Sequence, residues 1–410
     1  MRARWLYLAA LALLTGGCGG VSVSTAEPVQ GHNLTIYSSL PLNGPDAAAS
    51  AQIVNGEKLA LADAGGQVGR FRISYYSLDD SSPVSGHWEP GLTAANAKLA
   101  AQDNDAIAYL GDNDSGATAV SLPIVNGAGI LQVSVGSPYN GLTSSVDAGQ
   151  DEPARFYPSG RFTFGRLIPG DAVEAAAQVS YARRAGIKRI YVLSSEDPFF
   201  ATLSALLIDD ARRAGIDVVG NESLAVSAPS EFTSEAAKVG ASGAEAVAFS
   251  GPAEPGTVSL WRALHAADPN LRLIGSHELA SEAFTSQLGS AASQTVISSP
   301  WLEPSLYPPA AAAVLRRYEQ RFHEGAQPYA LAGYEAMAVT LQAIREAGRH
   351  GNSREAVIDR FFATKNRASV LGRYSIQPNG ETTITRYAFD RVLHGKPVFL
   401  NAIEVSQPLG

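Results

Sequence analysis

The chain of 410 residues carries 39 acidic and 31 basic side chains, a formal net charge of −8. Its length exceeds what one ordinary core fills, which predicts two domains. The acidic balance, with no Lys/Arg run along the sequence, excludes nucleic acid as the main partner, and a single cysteine excludes an internal disulfide.

Arg2 and Arg4 precede an apolar run from Trp5 to Leu14 that is too short to cross a bilayer as a mature helix. Together they read as a secretory signal, residues 1–17. The ending Leu14-Thr15-Gly16-Gly17-Cys18 resembles a bacterial lipoprotein signal, with Thr15 where that signal more often has Leu. Cleavage would make Cys18 the first residue and the site of lipidation, followed by a Gly/Ser/Val/Thr-rich tether over 18–33. The expectation is a globular body held at the outer face of a membrane by a lipid.

A strand is predicted at 34–38, then the loop Asn43-Gly44-Pro45-Asp46 leading to a helix over 47–64 with Asp46 as N-cap. The strand 71–78 runs into Asp79-Asp80, and a helix follows at 91–102. Short apolar runs at 106–110 and 130–134, joined by an Ala/Val/Leu helix, read as parallel strands buried on both faces. Their following loops, Gly111-Asp112-Asn113-Asp114-Ser115 and Gly136-Ser137-Pro138-Tyr139, therefore leave the same sheet edge. Open α/β sheets bind ligands at that edge, where helix N-termini point free N–H groups into the crevice. Ser115 is either only a helix cap or a ligand contact; this stretch alone supports both readings.

After a polar stretch at 144–158 a second strand–helix series begins, with an extended segment at 161–168, helices starting at Asp171 and near Phe199, and strands at 189–193, 216–219, 244–249 and 271–274. The last third holds helices near 310–322, 329–347 and 354–361. Pro378-Asn379-Gly380 between strand-like runs predicts a hairpin. The fold class is α/β, built from two doubly wound, Rossmann-like lobes.

Chemistry-bearing motifs are few. The seven histidines contain no pair at helical metal-ligand spacing, and no nucleophile elbow or phosphate-binding loop is present. Asp79-Asp80 and Asp112 to Asp114 could do acid/base work, but unpaired loop acids are more often solvated. The reading is a binding protein without metal or cofactor, not an enzyme.

The run Leu40-Pro41-Leu42-Asn43-Gly44-Pro45, the run Asn55-Gly56-Glu57-Lys58-Leu59-Ala60, the pair Asp79-Asp80, the loop Gly141-Leu142-Thr143 and the segment Ala332-Gly333-Tyr334-Glu335-Ala336-Met337 resemble type I periplasmic binding proteins, in particular the leucine/isoleucine/valine-binding branch that feeds ABC importers. The resemblance implies a three-segment hinge, with lobe one over 34–155 plus 299–370 and lobe two over 156–298 plus 371–410. It implies that a small ligand, a branched-chain amino acid or a related carboxylate or amide, sits in the cleft and that closure presents the protein, as a monomer, to a membrane permease. Ser115, Gly136 and Ser137 match the positions that hold the ligand carboxylate in relatives, with Tyr139 beside them. Phe199 falls near a pocket aromatic, His277 where an acid usually meets the ligand ammonium, and Glu278 next to it. Pro138 replaces a frequent Thr and removes a hydroxyl and an N–H donor. A ligand-sensing receptor of the same fold and, less favoured, a secreted hydrolase are the alternatives.

Overall fold

Apolar runs too short for helices and flanked by glycine become buried parallel strands, and the helices between them supply the crossovers that parallel pairing requires. The computed structural model describes residues 28–83 and 86–406. The signal segment and Cys18 lie outside the described residues. The expected tether ends earlier than residue 33: Val29 is 2% exposed, its N–H donates to the Asn352 carbonyl, and Asn33 already opens the first strand.

Lobe one contains β1 (Asn33–Leu40), β2 (Gln67–Val68), β3 (Phe71–Asp79), β4 (Ala106–Leu110), β5 (Leu131–Ser134) and β6 (Phe164–Arg166), in the order β2-β3-β1-β4-β5-β6. All pairings are parallel except that of the short edge strand β2. The crossovers are α1 (Ala47–Asp63), α2 (Pro90–Gln102) and α3 (Ser115–Gly127). Because β3 and β4 flank β1 on opposite sides, the loops after β1 and β4 border a crevice.

Lobe two follows with α4 (Asp171–Arg184), β7 (Arg189–Ser195), α5 (Pro198–Arg213), β8 (Asp217–Leu224), α6 (Thr233–Ser242), β9 (Ala246–Ser250), α7 (Pro255–Ala267), β10 (Arg272–Gly275), α8 (Glu282–Thr285) and β11 (Thr295–Ser299). The chain returns to lobe one for α9 (Pro309–Phe322), α10 (Pro328–Ala347), α11 (Arg354–Phe362) and the small hairpin of β12 (Arg367–Ser369) and β13 (Gly372–Tyr374). It ends in lobe two with β14 (Arg386–Leu393) and β15 (Lys396–Glu404), which complete a sheet of order β15-β14-β11-β10-β9-β7-β8.

Sheet membership corrects the expected boundaries at 155 and 370. Phe164–Arg166 pairs with β5, and Tyr374 and Ile376 are buried in the same core as Ile344, Val357 and Phe361. Lobe one therefore extends through Arg166 on its first pass and past Ile376 on its second. The predicted hairpin around Pro378-Asn379-Gly380 reduces to a single antiparallel bridge between Ile376 and Thr382; the long hairpin is instead β14–β15, turning at His394 and Gly395. Three segments cross between lobes, following β6, β11 and β13.

Two glycines in the family-like runs have a packing reason. A Cβ on Gly56 of α1 would lie 2.2 Å from the Ala330 carbonyl, and one on Gly333 of α10 would lie 2.0 Å from the Ile53 carbonyl. Only glycine lets these two backbones meet so closely, and that contact seats α10 of the returning chain against the first helix.

Candidate functional site

The loops at the upper edge of lobe one are built on interlocked polar groups. Asp79 accepts from the backbone N–H of Leu42 and of Ser81, both at 2.9 Å, and so clasps the loop after β1; it is not a solvated loop acid. Asp80 is fully buried and accepts from Ser39 Oγ at 3.2 Å, while its Oδ1 has no partner. Burial, and then the charge of Asp112, push its carboxyl up to about 8. Asp112 is also fully buried; burial raises it to about 7 against the opposing hydrogen bonds from Ser121, Tyr109 and Ser39.

Ser115 begins α3, and its Oγ accepts the backbone N–H of Tyr139 at 3.1 Å, tying the loop after β4 to the loop after β5. In the second loop, the N–H groups of Gly136 and Ser137 both donate to Ser134 Oγ at 3.1 Å. Ser134 Oγ in turn donates to the Asp112 carbonyl, as does Ser137 Oγ. The backbone donors expected to face a carboxylate are therefore already engaged inside the loop, and Pro138 offers none. Ser137 is fully buried, with its hydroxyl 2.7 Å from that of Thr118.

Arg166, fully buried at the end of β6, fixes this loop from behind. Its guanidinium donates to the carbonyls of Ser137 and Tyr139, to Thr143 Oγ1, and to Glu381 at 2.8 Å on the third crossing segment. Asp171, at the start of α4 after the first crossing, accepts the Asn140 N–H at 3.1 Å and donates its own N–H to the Pro138 carbonyl. Second loop and hinge are thus one hydrogen-bonded body.

Lobe two faces this edge with His277, just after β10. Its backbone N–H donates to Glu174 Oε1 at 2.9 Å, its Nδ1 lies 2.6 Å from Glu174 Oε2, and its Nε2 lies 3.2 Å from Glu278. Glu174, buried on α4, also accepts from Ser298 Oγ, Gln178 Nε2 and the Tyr387 hydroxyl. Burial, the largest influence, would lower the imidazole, but the Glu174 charge together with the hydrogen bonds to Glu174 and Glu278 outweighs it and His277 is held well above its ordinary value. Burial, the largest influence, would raise Glu174; the His277 charge together with the hydrogen bonds from His277 and Ser298 outweighs that, and its carboxyl lies below its ordinary value. His277 is therefore imidazolium. Its ring stands between buried Glu174 and the half-exposed Glu278 and pairs with both.

Across the cleft, Asp46 and Asp114 feel the charge of Glu278. Burial and then Glu278 and Asp46 lift Asp114 well above the carboxylate range, and burial raises Asp46, opposed by His87 at 3.7 Å and reinforced by Glu278. Neither Asp46 nor Asp114 caps its helix through the side chain. Aromatic rings border the acids: Tyr139 meets Phe199 of lobe two edge-on at 4.7 Å, Trp301 lies 4.7 Å from Tyr329, and the Trp88 indole covers Gly116, where a Cβ would sit 2.4 Å from the ring. The structure thus brings Ser115, Gly136, Ser137, Tyr139 and Phe199 together, with His277 and Glu278 on the opposing lobe. Sequence reasoning missed Glu174, Arg166 and the cleft-facing Asp46 and Asp114. Among the described residues no group of His, Cys, Asp and Glu could hold a metal ion, and no helix is long and apolar enough to cross a membrane.

A family model described as periplasmic binding protein matches residues 35–396. This chain belongs to the periplasmic binding protein family. No curated protein matches it at a significant level by sequence. Solved structures agree in fold: a leucine-binding protein from Thermotoga maritima has a TM-score of 0.74 at 18% identity, covering 90% of this chain and 99% of its own. A substrate-binding protein of an ABC transporter from Desulfitobacterium hafniense in complex with Leu has a TM-score of 0.73 at 17% identity, covering 90% and 100%. A solute-binding protein from R. palustris in complex with benzoate has a TM-score of 0.69 at 17% identity, covering 90% and 96%. The family match and the shared two-lobed fold make this chain a bilobed binding protein of the periplasmic type.

Proposed function

We propose that this periplasmic binding protein is the lipid-anchored solute-binding subunit of an ABC importer, attached through Cys18, and that its ligand is recognised through an amine or amide N–H group. A branched-chain amino acid or a related small amide fits this description; a small carboxylate without a nitrogen donor fits it less well. The ligand is held between Ser115 and the Gly136-Ser137-Pro138-Tyr139 loop of lobe one, whose Gly136 and Ser137 N–H groups stay engaged within the loop, and Phe199, His277 and Glu278 of lobe two. What supports the reading is the gathering of acids from both lobes, Asp46 and Asp114 with Glu278, where burial and then the charge of Glu278 raise the carboxyls of both aspartates. Closing an empty cleft forces one of these acids to take up a proton, and a cationic or N–H-donating group between them removes that cost, so ligand and closure are coupled. A carboxylate on the same ligand retains the first-turn N–H groups of α3 and the Ser115 hydroxyl, whose hydrogen is free to donate.

Titration calorimetry of the chain from Gly19 onward against Leu, Ile, Val, their amides, the corresponding amines and benzoate tests this. Micromolar binding restricted to nitrogen-bearing compounds, with a compaction seen by small-angle scattering, is the expected outcome. Benzoate binding as tightly as the amines overturns the recognition mode, and unchanged affinity in Ser115→Ala overturns the placement of the site. Ligand uptake by vesicles containing the cognate permease separates transport from sensing.

A further inference from the structure

The far end of lobe one carries a feature that ligand capture does not use. A cavity of about 270 Å³ is lined by Arg70, Phe71, Ile344, Arg345, Gly348 and Arg349. Phe71 opens β3, whose other end is the cleft residue Asp79, so the nine residues of that strand separate cavity and cleft by about 30 Å. The arginines are scattered in sequence and form no basic run; the fold gathers them.

Their charge is unneutralised. Among the described residues no carboxylate lies within ion-pair distance of Arg70, Arg345 or Arg349, and no Asp or Glu lines the cavity. Arg70 lies over the Phe71 ring at 5.0 Å and donates to the Arg349 carbonyl, which fixes its head at the rim. In a chain of net charge −8, guanidinium groups left unpaired around an apolar floor form a seat for a phosphate-bearing group.

The cavity also adjoins the place where the N-terminal segment meets lobe one. Val29 is bonded both ways to Asn352, close in sequence to Gly348 and Arg349, and the His32 ring lies 6.1 Å from Phe71. From Val29 back to Cys18 the chain reaches roughly 40 Å at full extension. A lipid on Cys18 therefore keeps this face of lobe one within contact range of the bilayer.

We propose that the arginine-lined cavity docks lobe one on the anionic phospholipid surface of its membrane, with a phosphodiester head group seated among Arg70, Arg345 and Arg349. The proposal rests on the anchoring through Cys18 for its biological setting. Docking by this end leaves the cleft, at the opposite edge of the same sheet, open to solution.

Co-sedimentation of the unlipidated chain from Gly19 onward with phosphatidylcholine vesicles, with and without phosphatidylglycerol, tests the surface independently of lipidation and of the ligand. Binding is expected only with phosphatidylglycerol, weakening as salt rises, and falling about fivefold for each arginine removed in Arg70→Gln, Arg345→Gln and Arg349→Gln. Arg345→Gln removes a side chain that makes no hydrogen bond or ion pair among the described residues, so it tests the charge without a folding cost. The Arg212→Gln, Arg213→Gln double variant on lobe two is the control and should bind as the unmodified chain does. Equal binding to both vesicle types, or equal losses in the control, overturns the proposal. Saturable binding of inorganic phosphate with no vesicle binding also overturns it and reassigns the cavity to a soluble anion. Mass spectrometry of the mature chain decides lipidation separately.

Discussion

The two walls of the cleft hold their polar groups by different physics. Lobe one uses hydroxyls, backbone amides and buried carboxyls that retain protons, with Asp80 up to about 8 and Asp112 to about 7. Lobe two uses one charged pair, His277 and Glu174, whose shifts run in opposite directions and reinforce each other. Neutral networks stand rearrangement of single members; a buried ion pair does not tolerate loss of one partner. Around Asp80 and Asp112 the wall of lobe one is thus the adjustable part, while the Arg166–Glu381 pair behind its second loop and the His277–Glu174 pair of lobe two are the fixed references.

The largest effect that could break this contrast is Glu174→Ala. It strands the imidazolium of His277 and the donors of Ser298 and Tyr387, and should cost about 3–5 kcal/mol by urea unfolding; a loss near zero would mean that lobe two is as adjustable as lobe one. Arg166→Met comes next at about 3 kcal/mol, because two loop carbonyls and Glu381 lose a buried partner, and calorimetric melting measures it. Ser134→Ala should cost about 1–2 kcal/mol and release the Gly136 and Ser137 N–H groups toward the cleft. Its sharper readout is ligand titration: affinity for a simple carboxylate should rise, and no rise would show that these amides do not point where a ligand could use them.

The pH response separates the walls further. Asp112 keeps its proton up to about pH 7 when folded, against 3.8 for its ordinary value. Its contribution is therefore full below about pH 4 and lost as pH rises through about 7. Glu174, depressed, contributes above its ordinary value of 4.5 and loses this only as pH falls below it, while the contribution of raised His277 is full below 6.5 and declines as pH climbs above it. Melting temperature should thus decline from pH 5 to about pH 7 through Asp112, with His277 adding to the decline above pH 6.5, and Asp112→Asn should flatten the part between pH 5 and 6.5. The smallest expected effect is Phe199→Ala, which removes the edge-on contact with Tyr139 at a cost of about 1 kcal/mol and should show in scattering as a more open ensemble.

How far the sequence could be read follows from the range of the interactions. Strand and helix pattern is local, so the doubly wound lobes and the site loops after β4 and β5 were legible from periodicity and flanking glycine. The family-like residues Gly56 and Gly333 were legible as motifs, though their reason, the contact of α1 with α10, joins residues far apart in sequence. The early boundary at 155 arose because the polar stretch 144–158 looks like a linker; the following Phe164–Arg166 is too short to show by pattern that it belongs to the first sheet. Ser115 and His277 were named by their position in the family-like pattern. Glu174 was not, because a glutamate in the first turn of a helix looks like favourable dipole chemistry, and nothing local shows that it meets His277 from another part of the chain. Asp46 was read as a cap for the same reason, and Asp114 as a loop acid.

The anchorage of Val29 on Asn352 bears on how the molecule carries mechanical load. A pull on the N-terminal segment enters at Val29 and passes through Asn352 to the N-terminus of α11, whose Arg354 grips the carbonyls of Asp103, Ala106 and Ala128. That route runs wholly through lobe one and touches none of the three crossing segments. Tension on the leash therefore leaves the hinge unstressed, and the lobes can swing without working against it.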